Sequence, residues 1–271
     1  MKSLVRWGAT LAIAGSVLSG ALPGIGNLQA IALPQDQVVK KLQEVPVFTL
    51  TNAKGEFIVI SRDNQGKKIS QVGFFISKQD AQKFLDNRLK KENPQLASTL
   101  QVRPLSLADY YKIVLEGKKK SDSVFYTLVP TQQQVESART LLTQSGQQGQ
   151  QFNGIPLFVP KFKKDNSYLT IPLPQSNERY IPFFFEKEQA VNLLDQFKKA
   201  APQEGANTEI QVVDLYGVIE ALNSSNDPGM NKIVLYPSQE SINFIRSLAP
   251  QSSGGNQQQN ARPAATPAKK K

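Results

Sequence analysis

The chain contains the same strand-and-helix sequence twice. The first copy covers residues 72–89 and reads VGFFISKQDAQKFLDNRL, and the second covers residues 181–198 and reads IPFFFEKEQAVNLLDQFK. Phe74 and Phe183 occupy the same place in the two copies. Each copy begins with an apolar run and then changes to the i, i+3, i+4 spacing of an amphipathic helix. The sequence therefore predicts an internal duplication in which a strand leads into a helix in both halves.

Three further landmarks recur in the same order. VPVF at 45–48 returns as IPLF at 155–158, and LQV at 100–102 returns as IQV at 210–212, with the same offset for both pairs. The strand that ends at Pro130 returns before Pro237, at a slightly smaller offset, and is followed by a helix in each half. Because strands alternate with helices, we expect an α/β (α+β) fold with two pseudo-symmetric halves, each a small sheet covered by helices and joined to the other along an apolar seam.

Composition sets the boundaries of these halves. We expect the first half at residues 33–142, a Gln/Gly-rich connector at 143–154, and the second half at 155–249. Residues 250–271 are poor in apolar side chains and end in three lysines, so we expect a disordered basic tail. Such a tail could contact a membrane or an acidic partner, or it could simply be solvated.

Local signals add detail to each half. VPVFTL at 45–50, a turn at 52–55 and FIVI at 57–60 predict a β-hairpin. Capping-box patterns predict helix starts at Ser106 with Asp109, and at Thr131 with Gln134. Prolines cannot donate to a ladder and therefore predict that the runs containing them are edge strands or bulges; these are Pro172, Pro174 and Pro182.

The first 32 residues have the pattern of a secretory signal peptide. Lys2 and Arg6 precede an apolar stretch at 7–18, and Ala30-Ile31-Ala32 offers a cleavage site. The stretch is short for a bilayer span, although an N-terminal membrane anchor is the alternative interpretation. We expect an exported protein whose mature chain starts near Leu33.

The residue types exclude several classes of chemistry. The chain has no Cys and no His, so disulfides, Cys nucleophiles, Ser-His-Asp triads and the usual zinc sites are excluded. No phosphate-binding glycine motif is present, so no cofactor is predicted. Two of the ten net positive charges lie in residues 1–32 and four in the tail, which leaves +4 for the folded part and argues against nucleic acid as a partner. We expect that the protein is not an enzyme.

Repeated aromatic residues are the candidate binding surface. Successive strand residues point to opposite faces, so at least one ring of the run at 183–185 points away from the core side. Such rings either form an apolar binding surface or are covered by a second layer, as in a strand that is buried on both faces. The candidates for hydrophobic client binding are Phe74, Phe75, Tyr110, Tyr111, Phe183, Phe184 and Phe185.

These repeated segments resemble the Tic22-like family of cyanobacteria and plastids. The similarity is carried by VPVFTLTNAKGEFIVI and VGFFISKQDAQKFL in the first half and by IPLFVP and IPFFFEKEQAVNLL in the second, and it covers roughly residues 38–248. The resemblance implies a two-fold pseudo-symmetric α/β fold with hydrophobic pockets. It is a fold signature that transfers no active-site residues.

The resemblance also implies a function. It suggests a soluble protein of the space between two envelope membranes, here the periplasm or the thylakoid lumen. It would act as an ATP-independent chaperone or transport factor for unfolded or precursor polypeptides, assisting outer-membrane protein biogenesis together with the β-barrel assembly protein. Peripheral membrane association stays open. The alternatives are a scaffold that docks only on the assembly protein, and an enzyme acting on envelope glycans, which would need convergent carboxylates in a cleft.

Overall fold

The computed structural model describes residues 33–64, 67–120, 123–146, 152–172, 178–225 and 227–248. The predicted signal peptide and the predicted basic tail lie outside the described residues, as do positions 147–151 of the predicted connector. Their assignments therefore stay predictions.

The described chain contains ten strands and ten helices, with groups of strands and helices interleaved. The strands are β1 (Pro46–Asn52), β2 (Ile60–Asn64), β3 (Lys67–Phe75), β4 (Leu100–Ser106), β5 (Val124–Val129), β6 (Pro156–Phe162), β7 (Ile171–Pro172), β8 (Arg179–Phe184), β9 (Thr208–Asp214) and β10 (Ile233–Tyr236). The helices are α1 (Gln35–Leu42), α2 (Lys78–Lys83), α3 (Lys90–Glu92), α4 (Pro94–Ser98), α5 (Leu107–Lys119), α6 (Gln132–Gln144), α7 (Lys187–Ala200), α8 (Pro202–Gly205), α9 (Leu215–Ser224) and α10 (Gln239–Leu248). A π-helical segment, Phe84–Leu89, joins α2 to α3, and a 3₁₀ turn, Pro228–Lys232, precedes β10.

The two halves form five-stranded sheets of the same topology. The first has the order β2-β3-β1-β4 with β5 parallel to β3, and the second has the order β10-β8-β6-β9 with β7 on β8. Phe48 lies opposite Phe75 in the first sheet, and Phe158 lies opposite Phe184 in the second. Strands β1 to β5 therefore correspond to β6 to β10, and the predicted duplicated α/β fold is confirmed.

The main core lies between the two sheets and belongs to both halves. Its largest apolar cluster includes Val47 and Phe74 from the first sheet and Leu157 and Phe183 from the second. Residues of α1, α5 and α9 complete this cluster, so these three helices form the layer between the sheets. Smaller clusters cover the outer faces, where α2 and the π-helical segment pack on the first sheet and α7 packs on the second.

The last helix of each half packs on the sheet of the other half. Ala138 of α6 is fully buried against Phe158 and Phe184 of the second sheet. In return, the Phe244 ring of α10 contacts the Phe48 ring of the first sheet edge-to-face, with 5.2 Å between centroids. Each sheet is therefore covered in part by a helix from the other repeat, and the boundary predicted at residue 142 stays a prediction about the sequence repeats.

Polar side chains hold these exchanged helices at their N-terminal ends. Gln134 of α6 accepts a hydrogen bond from the Lys187 backbone N–H at the start of α7 (3.0 Å) and donates one to the Glu188 carboxylate (2.9 Å). Glu240 of α10 accepts from the Gln79 backbone N–H at the start of α2 (2.9 Å). Each exchanged helix thus supplies an acceptor to the exposed donors at the start of a helix in the other half.

One of the two predicted capping boxes is present. Ser106 and Asp109 exchange side chain-to-backbone hydrogen bonds at the start of α5. The capping box predicted for Thr131 and Gln134 is wrong, since Thr131 makes no side-chain cap bond. The physical reason is the helix exchange, because the Gln134 side chain is engaged with α7.

The predicted β-hairpin forms only at its turn. Gly55 has φ +84°, which an L side chain rarely adopts, and Thr51 bridges Phe57. Beyond that bridge the chain leaves β1, and β2 pairs with β3 from Ile60 opposite Gln71 onward. This part of the prediction is wrong because both edges of β1 are already occupied, one by its full-length pairing with β4 and the other by the end of β3.

The prediction that Pro182 marks an edge or bulge is also wrong, because β8 is a central strand. On one side β8 pairs with β10, with Pro182 opposite Val234. On the other side, β7 pairs only as far as Tyr180 and β6 only at Phe184. Pro182 thus faces a gap between two partner segments, where its missing N–H removes no ladder hydrogen bond.

Candidate functional site

The structure buries six of the seven aromatic candidates. Phe74 and Phe183 have no exposed surface, and Phe75, Tyr110, Phe184 and Phe185 are buried as well. Tyr111 is half-buried against the same core. The rings of Phe74 and Tyr110 lie 5.0 Å apart in an edge-to-face contact.

The alternative interpretation of the triple phenylalanine, a strand covered on both faces, is confirmed. Phe183 and Phe185 belong to the core between the sheets, whereas Phe184 points outward into the cluster under α6 and α7. Because both faces of β8 carry a helical layer, these rings offer no surface to a client in this conformation. Their contact with a client stays a prediction that would need the layers to separate.

The two tyrosine candidates join the middle helices. The hydroxyls of Tyr110 on α5 and Tyr216 on α9 lie 3.0 Å apart, and the Tyr111 hydroxyl donates to Asn223 Oδ1 at 3.1 Å. Burial raises the pKa of Tyr110, and the hydrogen bond with Tyr216 adds to the shift. Both tyrosines therefore serve as hydrogen-bonding groups that hold the seam between the halves.

Exposed apolar surface occurs instead in a groove of about 760 Å³ along α10. One wall is the end of β4, the opposite wall is β10, and α10 closes one side. The apolar lining consists of Pro46, Pro104, Leu105, Val234, Leu235, Tyr236, Pro237, Ile242, Phe244, Ile245 and Leu248. Ile245 is 43% exposed and Leu248 is 63% exposed, both high values for large aliphatic side chains. We call this feature the α10 groove.

In the second half, the place equivalent to the α10 groove is filled by a side chain of that half. Phe152, just before β6, packs into the cluster around Ala138 and Phe158. The equivalent residue in the first half is Leu42, which precedes VPVF by the same distance as Phe152 precedes IPLF, and which ends α1 in the central core. Among the described residues, the first half therefore places no side chain there, and the α10 groove stays open.

The free edge of β10 adds few backbone groups to this groove. Tyr236 O accepts from Phe185 N, so by the alternation of a parallel ladder the backbone of Leu235 points away from β8 and toward the groove. The next β10 carbonyl that points away from β8 is that of Ile233, and it already accepts a hydrogen bond from Lys41 Nζ at 3.0 Å. On the other wall, Pro104 has no N–H to donate. Recognition in the groove therefore depends mainly on apolar contact.

The helix starts of α7 and α10 bring a group of carboxylates together. Glu186 accepts from the Gln239 backbone N–H at 3.0 Å. Burial raises the pKa of the Glu186 carboxyl above its ordinary value of 4.5, with smaller contributions from the charges of Glu188 and Glu240, while the Gln239 hydrogen bond opposes the shift. The folded chain therefore binds this proton more tightly than the unfolded chain does.

This shift predicts a pH-dependent effect of Glu186→Gln. The contribution of Glu186 to stability is greatest below pH 4.5 and is lost as the pH rises through the raised folded-state pKa. The variant keeps an acceptor for Gln239 but has no titrating group. We expect its free energy of unfolding, relative to the wild type, to increase between pH 4 and pH 7 in urea titrations. The exposed Glu204→Gln is the reference, and a difference that stays constant with pH would contradict the assignment.

Within the described ranges, no three acidic residues are grouped so that they could hold a metal ion. Each helix in these ranges is too short or too polar to span a bilayer.

Comparisons with known proteins agree with the fold. The family model described as the Tic22-like family matches residues 9–247. A relative from Arabidopsis thaliana, "Protein TIC 22, chloroplastic", is 26% identical over 202 residues, covering 74% of this chain and 67% of the relative. A second from the same plant, "Protein TIC 22-like, chloroplastic", is 25% identical over 216 residues, covering 76% of this chain and 61% of the relative. This chain thus spans about three fifths of the second relative's length.

A solved structure is similar over most of the molecule. The chain of "Anabaena Tic22 (protein transport)" is 33% identical and superimposes with a TM-score of 0.72, covering 80% of this chain and 98% of that one. The family model covers far more than half of the sequence, and the structural match extends over both sheets. The chain therefore belongs to the Tic22-like family.

Proposed function

We propose that the protein is an ATP-independent periplasmic chaperone or transport factor that holds unfolded or precursor polypeptides in the α10 groove. The observation that carries this proposal is the exposure of Ile245 and Leu248 on a groove whose other walls are also apolar. A contiguous exposed apolar surface of this kind usually marks a binding site. The solved relative from Anabaena is named as a protein of protein transport, which supports a role in handling polypeptides in transit.

The chemistry of the groove suits binding and release without catalysis. Each apolar side chain that a client buries contributes about 1.5–3 kcal/mol, and much of this is offset by the cost of association and ordering. A groove that covers a few such side chains therefore binds weakly enough to release its client without ATP. Because apolar contact is not directional, the groove accepts varied apolar sequences. We infer clients on their way to the outer membrane, delivered to its β-barrel assembly protein.

The proposal is tested by the double variant Ile245→Ser/Leu248→Ser. Both side chains are substantially exposed, so we expect an intact fold and a roughly tenfold weaker affinity for client, equivalent to about 1.4 kcal/mol. The measurement is light scattering from a chemically unfolded client diluted into residues 33–271, with affinity taken from the concentration dependence. Phe125→Ser is the matched control, since Phe125 is 61% exposed but does not line the groove.

Two results would count against the proposal. The first is a wild-type protein that does not slow aggregation of any client at equimolar concentration. The second is an equal loss in the groove variant and the Phe125 control. If the protein instead captured the assembly protein, and if excess unfolded polypeptide did not compete, the scaffold alternative would replace the chaperone.

A further inference from the structure

A second cavity, of about 340 Å³, lies at the far end of β1 and β4. Thr51, Lys54, Phe57 and Arg103 contribute to its lining. Thr49 pairs with Arg103 across the two strands, and Thr51 pairs with Gln101. The cavity therefore brings two cationic side chains beside an aromatic ring that is 36% exposed.

The two cations have no carboxylate partner among the described residues. The Arg103 guanidinium reaches only the Gln101 amide oxygen, at 3.0 and 3.2 Å, with the amide oriented to accept. The nearest acid along the chain to Lys54 is Glu56, whose carboxylate accepts from Asn52 Nδ2 at 2.7 Å. Positive charge in this cavity is thus available to an external anion.

Thr51 adds an unused donor. Thr51 is only 3% exposed and lines the cavity, and its hydroxyl has no hydrogen-bond partner. Leaving a buried hydroxyl unpaired costs about 1–3 kcal/mol. An acceptor that enters the cavity would remove that cost.

The duplication supplies an internal comparison. Counted from the Pro46–Ser106 and Pro156–Asp214 pairs, the strand pair Thr51–Gln101 corresponds to Lys161–Glu209, which forms an ion pair at 3.1 Å. In the ladder Gln101 thus corresponds to Glu209, and the predicted match of LQV with IQV is wrong by two residues because β9 pairs with β6 in a shifted register. Phe57 corresponds to Tyr168, as the bridges Thr51–Phe57 and Lys161–Tyr168 show, and Tyr168 is only 2% exposed. In the second half, the side chains at these two positions pair with each other and the neighbouring ring is buried. In the first half, the same two positions hold Thr51, whose hydroxyl has no partner, and an amide, and the neighbouring ring is exposed.

We propose that this cavity binds an aspartate or glutamate side chain of the client. Arg103 and Lys54 hold the carboxylate, and Phe57 contacts the client residue next to the acidic one. The proposal rests on the client-binding function and narrows its substrate class. Pro104 and Leu105 line both this cavity and the α10 groove. One extended segment, rising about 3.3 Å per residue, can therefore place apolar side chains in the groove and an acid in the cavity. The preferred client segment is apolar with an acidic residue nearby.

The test uses two fluorescent twelve-residue peptides, both acetylated and amidated to remove terminal charge. Both contain the same apolar triplet; one continues with Asp-Glu and the other with Asn-Gln. Fluorescence anisotropy at low salt should show that the acidic peptide binds the wild-type chain about five- to tenfold more tightly. Lys54→Gln/Arg103→Gln should abolish this preference and leave the affinity for the neutral peptide unchanged. The control Lys118→Gln/Lys119→Gln removes the same charge from exposed positions and should keep the preference.

The outcomes separate the two proposals. Equal binding of both peptides by the wild type, or loss of the preference in the Lys118/Lys119 control as well, would overturn the acidic-residue site while the client-binding function stands. Failure of both peptides to bind would overturn the client-binding function and this inference with it. A preference that persists in Lys54→Gln/Arg103→Gln would place the carboxylate elsewhere and would also overturn the inference.

Discussion

Phe74→Ala is expected to lower the free energy of unfolding by about 3–5 kcal/mol, the range for removing a large aromatic side chain from a packed core. Phe74 has no exposed surface, and its ring contacts the rings of Phe57 and Tyr110 at centroid distances of 5.5 and 5.0 Å. Because these partners come from different parts of the first half, the site cannot collapse around the missing ring. Urea titration followed by circular dichroism measures the loss.

The equivalent substitution in the second half should behave in the same way. Phe183 is also fully buried and lies in the same central cluster as Phe74. Both variants should therefore unfold in a single transition, with fluorescence and circular dichroism coincident. Phe125→Ala is the control and should change stability by less than about 0.5 kcal/mol, because that ring is mostly solvated. Two separate transitions would contradict a core shared by both halves.

Ala138→Asp is expected to destabilise the protein by about 3 kcal/mol or more, because it places an unpaired charge in an apolar contact. Ala138 lies on α6 with no exposed surface, packed on Phe158 and Phe184. Since α6 comes from the first repeat but covers the second sheet, the local loss of stability should appear in the second sheet. Hydrogen exchange should show the largest loss of protection in β6 and β8 and a smaller loss in β1 and β3.

A matched variant separates this effect from a change in helix propensity. Thr140→Asp introduces the same residue on the exposed side of the helix interior and should leave both the stability and the exchange pattern almost unchanged. Faster exchange confined to β1 and β3 in Ala138→Asp would show that α6 covers its own sheet, and would contradict the helix exchange.

The duplicated architecture could be predicted from the sequence because its signals are local and occur twice. The strand-to-helix change after Phe74 and after Phe183 gives two independent observations of one unit, and the nearly constant offset excludes many other arrangements. The cap at Ser106 was predictable for the same reason, since all its atoms come from one short stretch of chain.

The exchange of the last helices could not be predicted, because the repeat offset is the same whether α6 packs on its own sheet or on the other one. Gln134 illustrates the consequence. Its position suits a local capping box, but its long-range partner Lys187 is 53 residues away. The hairpin predicted after β1 is wrong for a similar reason. Both edges of β1 are occupied by strands that are distant in sequence, β3 and β4.

The candidate site was predicted from aromatic residues that the structure mostly buries. Aromatic runs indicate where apolar surface exists but not which layers cover it, and here a helix layer lies on each face of β8. The open groove did carry a sequence signal. Ala138 and Ile245 occupy equivalent helix positions, and the small residue is the buried one while the large residue is 43% exposed. An enlarged side chain at a repeated position thus marks the half in which the surface has diverged.

The position of α10 also sets an order on the first folding of the molecule. Phe48 lies on one of the first strands to emerge, yet the ring that shields it, Phe244, is among the last of the described side chains to be synthesised. A chain delivered amino end first must keep its early sheet partly bare until nearly all of its length has arrived. The cluster around Phe48 is therefore completed only after α10 has been synthesised.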